Sequence, residues 1–237
     1  MTTTQSLTLF FPMYNEKETV ERMVNKALNV LETLADGYEV IIVDDASTDG
    51  SERIAGQLAR RYPQVRVVRH PRNLGYGAAL RTGLQSATKE LIFFTDCDEP
   101  VDLREIERAL ALVGPDVDMV VGYRINRYDT PRRFIYSKVY NFLCRLLFDI
   151  RVRDINFSFK LLKREILQRI QLSAGSVFID GELLAEAARY GYRVVEIPVQ
   201  YFPRRSGNSS FDNLHAAAYA LEEMLTYWWR TRVRRLV

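Results

Sequence analysis

The sequence predicts an α/β fold with a Rossmann-like, mostly parallel sheet flanked by helices. Two observations carry the prediction. Short β-branched and aromatic runs without polar alternation, Val40 to Val43 and Leu91 to Thr95, read as strands buried on both faces. These runs also alternate with helical patterns over short connections, which is how a parallel sheet is built.

The elements follow in order. Leu7 to Phe11 reads as a first strand stopped by Pro12. Glu16 to Leu34 has helical spacing through Val20, Val24, Ala27, Leu28 and Leu31. The strand Val40 to Val43, a helix from Ser51 to Tyr62, a strand Val65 to Val68, a helix Gly77 to Ala87 and the strand Leu91 to Thr95 come next. Leu103 to Val113 is helical and Met119 to Gly122 strand-like. The second half is less regular. It has an apolar helix Arg133 to Phe148, an alternating strand Asn156 to Leu161 and a helix Asp180 to Tyr190. Val194 to Tyr201 is a strand that Pro198 pushes to a sheet edge. Residues 1–212 read as one domain and 213–237 as a C-terminal amphipathic helix.

Size and composition set limits. The chain of 237 residues can bury a substantial core without disulfides. Its two cysteines, Cys97 and Cys144, are far apart, so a reducing compartment is the default. The start, Met1 to Gln5, lacks the basic residues of a secretory signal. No stretch approaches the ~18 apolar residues that span a bilayer. The net charge of +3 is modest, but arginines concentrate between Arg124 and Arg153, at Arg204-Arg205 and from Arg230 to Arg235. Arginine forks suit phosphate, although a charge run is often a solvated surface. No nucleic-acid partner is expected.

The acidic residues carry the chemistry. Asp44-Asp45 and Asp96-Cys97-Asp98 each follow a buried strand. The carboxyl ends of such strands face the crevice where open α/β sheets bind ligands. A D-x-D there offers two hard oxygen ligands to a divalent cation that also holds phosphate oxygens. Pro12-Met13-Tyr14-Asn15-Glu16 lies at the same edge, with Asn15 either a helix cap or a ligand contact. Gly75-Tyr76-Gly77 is neither a dinucleotide fingerprint nor a P-loop. It serves close approach to a ligand, or only a tight turn. A strand ending in two aspartates also fits a receiver-type signalling domain, which is about half this length. Asp154 among arginines reads as a salt bridge, Asp180 and Glu182 as charges at a helix start. His70 and His215 have no metal-ligand spacing.

Taken together these residues resemble the family 2 glycosyltransferases. The resemblance rests on Pro12-x-Tyr14-Asn15-Glu16, Val43-Asp44-Asp45-x-Ser47-x-Asp49-Gly50, Asn73-x-Gly75-x-Gly77-x-Ala79 and Asp96-x-Asp98. The second half is similar to the polyprenyl-phosphate branch, akin to dolichyl-phosphate mannose synthase. The carriers there are Gly122-Tyr123-Arg124, Arg132-Arg133…Ser137, Val152 to Lys160, and Gly191 to Pro198 leading to Arg204, Arg205, Gly207 and Ser209. Two departures stand out. Glu99-Pro100 replaces a Leu-Gln type pair whose Gln can join the metal, and Asn156-Phe157-Ser158-Phe159 replaces Thr-Ser-Gly-Phe. The transmembrane helices of many relatives do not occur in this sequence.

The resemblance implies a GT-A fold and inverting transfer of a sugar from a nucleotide-diphosphate sugar to a polyprenyl phosphate, with Mg²⁺ or Mn²⁺ on Asp96 and Asp98. Asp44 and Asp45 would hold the nucleoside. Arg124, Arg132 or Arg133, Arg153, and Arg204 or Arg205 would hold the acceptor phosphate. The catalytic candidates are Asp98, Asp154 and Arg133. Pro12, Tyr14, Asn15, Glu16, Gly75, Gly77 and Ser209 complete the binding set. If the acceptor were instead a sugar hydroxyl of a glycan or glycolipid, a base would be needed, and Asp180 is the candidate. The expected location is cytoplasmic, peripheral on the inner face of a membrane. Leu214, Ala217, Leu221, Leu225 and Trp228 are expected as one apolar stripe, followed by Trp229 and a basic end. That stripe could equally pack in the core or in a homo-oligomer.

Overall fold

The computed structural model describes residues 5–126, 131–202 and 214–232, with only the backbone described for 131–133 and 214. Among these residues seven strands form one sheet: β1 (Leu7–Met13), β2 (Tyr38–Asp44), β3 (Val65–Arg69), β4 (Leu91–Phe94), β5 (Met119–Arg124), β6 (Lys160–Lys163) and β7 (Val194–Val199). Their spatial order is β3-β2-β1-β4-β6-β5-β7. All pairings are parallel except those of β6, which runs antiparallel to both β4 and β5.

Among the described residues seven α-helices cover the sheet: α1 (Val20–Leu34), α2 (Ser51–Arg61), α3 (Tyr76–Ser86), α4 (Glu105–Leu110), α5 (Pro131–Phe148), α6 (Phe178–Arg189) and α7 (Leu214–Arg232). Strand residues alternate between two cores. Leu7, Leu9, Phe11, Val40, Ile42, Leu91 and Phe93 face α1, α2 and α4. Phe10, Ile41, Val43, Ile92 and Phe94 face α3, α5, α6 and α7. Both faces are buried, so the apolar runs need no polar alternation. α3 approaches β1 so closely that a Cβ at Gly83 would lie 2.2 Å from the Phe10 ring.

Several boundaries differ from expectation. β1 continues through Pro12 to Met13, because its β4 partner pairs only as far as Phe10 and no ladder bond needs the missing N–H. α1 begins at Val20, not Glu16. The second-half strand is Lys160–Lys163 rather than 156–161; the residues before it form a loop at the site. Pro198 lies in β7, the edge strand, as its chemistry requires. Of the expected α7 stripe, Ala217, Leu221 and Leu225 face outward and Trp228 is half-buried, while Ala220, Met224 and Tyr227 on the neighbouring face pack on the core.

Candidate active site

A cavity of about 1030 Å³ opens at the carboxyl edge of the sheet, lined from Pro12 to Glu18 and by Asp45, Asp49, Asn73 to Tyr76, Asp96, Gly175, Ser176 and Tyr219. Each wall has a local cause. Asn15 sits at φ 56°, a left-handed conformation that asparagine tolerates. Its side chain accepts a bond from Thr48 N at 2.9 Å and its own N–H donates to Ser47 Oγ at 3.0 Å. Asn15 therefore ties the β1 loop to the β2 loop and does not cap α1, whose first residue is flanked by Thr19.

The two aspartates after β2 behave differently. Asp44 is buried; its Oδ1 accepts from Ser47 N at 2.9 Å, and Arg69 Nε lies 3.2 Å from its Oδ2. Asp45 lines the cavity but also holds the Gly-rich turn. Its Oδ1 meets Leu74 N at 2.8 Å and His70 Nδ1 at 2.7 Å, and its Oδ2 meets Gly75 N at 2.9 Å. His70, a buried residue, bridges on to Thr82 Oγ1 at 2.9 Å. The two glycines divide the tasks that a single turn suggested. Gly75 has φ 89°, which a side chain would strain. Gly77 makes room for protein: a Cβ there would lie 2.5 Å from the Ala174 carbonyl, and its N–H donates to Gly175 O at 3.0 Å.

Asp96 lines the cavity and accepts from Ser158 Oγ at 2.7 Å. Asp98 follows two residues on. The buried Tyr76 hydroxyl is pushed well up, first by burial and then by Asp180, Asp96 and Asp98. Burial, Glu16, Asp98 and Asp96 likewise push up the Cys97 thiol. Negative charge is thus concentrated at this edge, and a divalent cation would relieve it. Among the described residues no group of three His, Cys, Asp or Glu is set to hold a metal. A cation on the two carboxylates Asp96 and Asp98 would take its remaining positions from ligand oxygens and water. Glu99 is no third ligand. At φ 57°, it turns to α1 and pairs with Arg22 Nε at 2.6 Å and Lys26 Nζ at 2.8 Å.

The second half separates the remaining candidates. Asp154 and Arg124 form a bidentate pair, Nε to Oδ2 at 2.7 Å and Nη2 to Oδ1 at 2.8 Å, with both side chains buried. The Arg124 guanidinium also lies over Phe157 and Tyr201. Arg124 is thus a buried structural cation, and an acceptor phosphate would have to displace Asp154 to reach those donors. Arg153 points the other way, two-thirds exposed, 4.6 Å from the Tyr123 ring centroid and braced by Glu196. Asp180 is buried against Lys160, 2.6 Å from its Nζ, and does not line the cavity. As placed, Asp180 faces Lys160 rather than the cavity that a sugar hydroxyl would enter. Side chains of Arg132 and Arg133, and residues Arg204, Arg205 and Ser209, lie outside the described residues.

Sequence reasoning missed Ser158 and Tyr219 as parts of the site, and Lys160 as the buried partner of Asp180. Ser158 was visible only as one letter of the Asn156 to Phe159 departure. Lys160 and Tyr219 gave no local signal.

The comparisons agree with this geometry. The model of glycosyl transferase family 2 matches residues 8–171. The chain is 30% identical to glycosyltransferase AglD of Haloferax volcanii over 96% of its length, but spans only 38% of that protein. It is 28% identical to the polyprenol monophosphomannose synthase of Mycolicibacterium smegmatis, covering 93% of this chain and 87% of that one. Glucosyl-3-phosphoglycerate synthase from Mycobacterium tuberculosis, solved with Mn²⁺ and UDP-glucose, superposes with a TM-score of 0.70 at 21% identity, over 94% of this chain and 79% of that one. The shared architecture is the GT-A fold. The receiver-domain alternative ends here: the chain belongs to glycosyl transferase family 2.

Proposed function

We propose that this chain is a metal-dependent, inverting glycosyltransferase that moves a sugar from a nucleoside diphosphate to the phosphate of a polyprenyl lipid. The observation that carries the reading is the single cavity joining the Asn15–Asp45–Gly75 wall to Asp96 at the end of β4. A nucleoside suits the first part and a diphosphate the second. The relative named for a polyprenol monophosphate acceptor covers nearly the whole chain.

Asp96 and Asp98 would hold the cation, Mg²⁺ or Mn²⁺, and Ser158 orients Asp96. When bound, the cation stabilises the charge that grows on the leaving diphosphate. A phosphate acceptor is anionic at neutral pH, its second pKa being about 6, so no strong base is required. The task left to the protein is to bring two anions together. Arg153 is an exposed cation, and Arg133 is the first choice for the acceptor phosphate from sequence alone.

The acceptor's lipid tail gives a reason for a membrane-facing surface. Among the described residues no helix is long and apolar enough to cross a membrane. However, α5 exposes Ile135, Val139, Phe142 and Leu146 at helical spacing, and α7 exposes Leu221, Leu225 and Trp229. Basic residues flank both, Lys138 and Arg145 on α5 and Arg230 and Arg232 on α7. We read this as peripheral contact with an anionic leaflet. The test of the function is a thermal-shift panel of UDP, GDP, dTDP and CDP sugars with Mg²⁺ or Mn²⁺. A metal-dependent rise with one nucleotide is expected; no rise with any of them overturns the reading.

A further inference from the structure

The last helix is wired into the cavity. Ala216 and Tyr219 of α7 line it directly. One turn on, Glu223 grips the loop before α6: its Oε1 accepts from Gly175 N at 2.7 Å, and its Oε2 from Ser176 N at 3.0 Å and from Ser176 Oγ. Tyr219 also donates to Glu223, which pushes the phenol's pKa up.

That loop has no slack on its other sides. Gly175 O accepts from Gly77 N, and Ala174 O from Arg81 of α3. Glu182 of α6 accepts from Ser173 N and Ala174 N, each at 2.8 Å. A continuous path of backbone amides and carboxylates therefore runs from α7 to Gly175, to Gly77, and to Gly75, whose N–H is held by Asp45. A carboxylate that accepts two backbone N–H bonds and a hydroxyl fixes a loop far more tightly than apolar contact does. The arrangement exceeds what packing α7 on the core requires, since Ala220, Met224 and Tyr227 already do that.

We propose that Glu223 is a positioning residue for the donor cavity. Through Gly175 and Ser176 it sets the Gly75–Gly77 turn, and it holds Tyr219 as part of the cavity wall. This rests on the cavity being the nucleotide-sugar site, so the experiment reads the wiring separately from the ligand. In the full chain, Glu223→Gln keeps the size of the side chain but offers a single acceptor oxygen, leaving one loop donor unmatched. Amide hydrogen exchange of residues 75–77, without ligand, should rise by roughly tenfold, the equivalent of one lost buried bond. Affinity for UDP or GDP with Mn²⁺, whichever the unaltered chain binds, should weaken by a similar factor. Ile106→Val, buried in α4 beneath the other face of the sheet, serves as a control for general destabilisation and should leave both readouts unchanged. If Glu223→Gln does not fold, Ser176→Ala, which removes one bond, should give a smaller change of the same pattern. Unchanged exchange at 75–77 overturns the proposal whatever the nucleotide result. Faster exchange in a chain that binds neither nucleotide sustains the wiring and counts against the donor-site reading instead.

Discussion

Replacing Lys160 by Met decides whether Asp180 is a base or a buried counter-ion. Both side chains are 1% exposed. Lys160 Nζ donates to Asp180 Oδ1 at 2.6 Å and to Phe157 O at 2.8 Å, and the Tyr76 hydroxyl reaches Asp180 Oδ2 at 3.4 Å. Met keeps the stem and removes the charge, so Asp180 is left with the long tyrosine bond. Removing one partner of a buried pair costs about 3–5 kcal/mol. For a domain of this size each kcal/mol moves the midpoint by about 2–4 °C, so a fall of roughly 6–20 °C is expected at neutral pH. The pH dependence is a sharper check. Burial raises the Asp180 pKa, and the charge and hydrogen bond of Lys160 oppose that rise. An acid with a raised folded pKa binds more protons folded than unfolded, so stability falls as pH climbs from its ordinary value to its folded value. Loss of Lys160 extends that window upward. The deficit of Lys160→Met should therefore shrink as pH falls from 8 toward about 4, the ordinary range of Asp. Lys160→Met with Asp180→Leu removes both charges and should recover most of the loss. Thermal unfolding followed by circular dichroism across that pH range measures all of this. A single variant as stable as the unaltered chain at every pH, or a double variant no better than the single, refutes the buried-pair argument. An Asp180→Asn chain of full stability that no longer transfers sugar would restore Asp180 as the base.

Four further outcomes are expected. Asp98→Asn should abolish metal-dependent donor binding with the circular dichroism spectrum intact; unchanged turnover removes Asp98 from the metal site. Ser158→Ala removes one hydrogen bond from Asp96, and metal affinity measured by titration calorimetry should fall by about 10–100-fold, the range for lost outer-shell partners. Arg133→Ala should raise the acceptor KM far more than the donor Kd; equal losses would make it a structural arginine. Leu225→Gln with Trp229→Gln alters two outward side chains and should reduce flotation on anionic vesicles while leaving the melting midpoint unchanged; undiminished flotation places the contact elsewhere.

The first half of the fold was legible because its signals are local. β1, β2 and β4 are apolar runs buried on two faces, and each is closed by a turn with its own chemistry, whereas the edge strand β3 is only partly buried. The site residues of that half could be named because they lie directly after strands. The second half was harder because its strand is only four residues long and includes Lys160, buried for its pair with Asp180. No periodicity marks a lysine as core. Which face of α7 meets the core was open in the sequence for a related reason. Alanines at 216, 217, 218 and 220 make two helical faces nearly equal in apolarity, and the choice between them was made by Met224 and Tyr227 packing near Phe148 and Phe178. Asp44 and Asp45 looked equivalent in sequence; only the tertiary path of the Gly-rich turn gives Asp45 its three partners.

The direction of β6 explains why the two halves meet where they do. Because β6 is antiparallel, its first residue pairs with the last of β4, Lys160 with Phe94. The chain entering β6 therefore arrives at the carboxyl edge, where Asp96 begins. A parallel strand in the same slot would deliver that segment to the opposite edge. Ser158 falls on Asp96 for this reason, and Asp154 meets Arg124 because β5 also ends at that edge. The geometry also separates two adjacent residues by role. Asp154 turns inward and neutralises Arg124, which lets the loop be packed against the end of β4 without an unpaired buried charge. Arg153 is left outside with its guanidinium over Tyr123. The acidic edge of the first half and the Asp154–Arg124 pair of the second are thereby brought to the same end of the sheet.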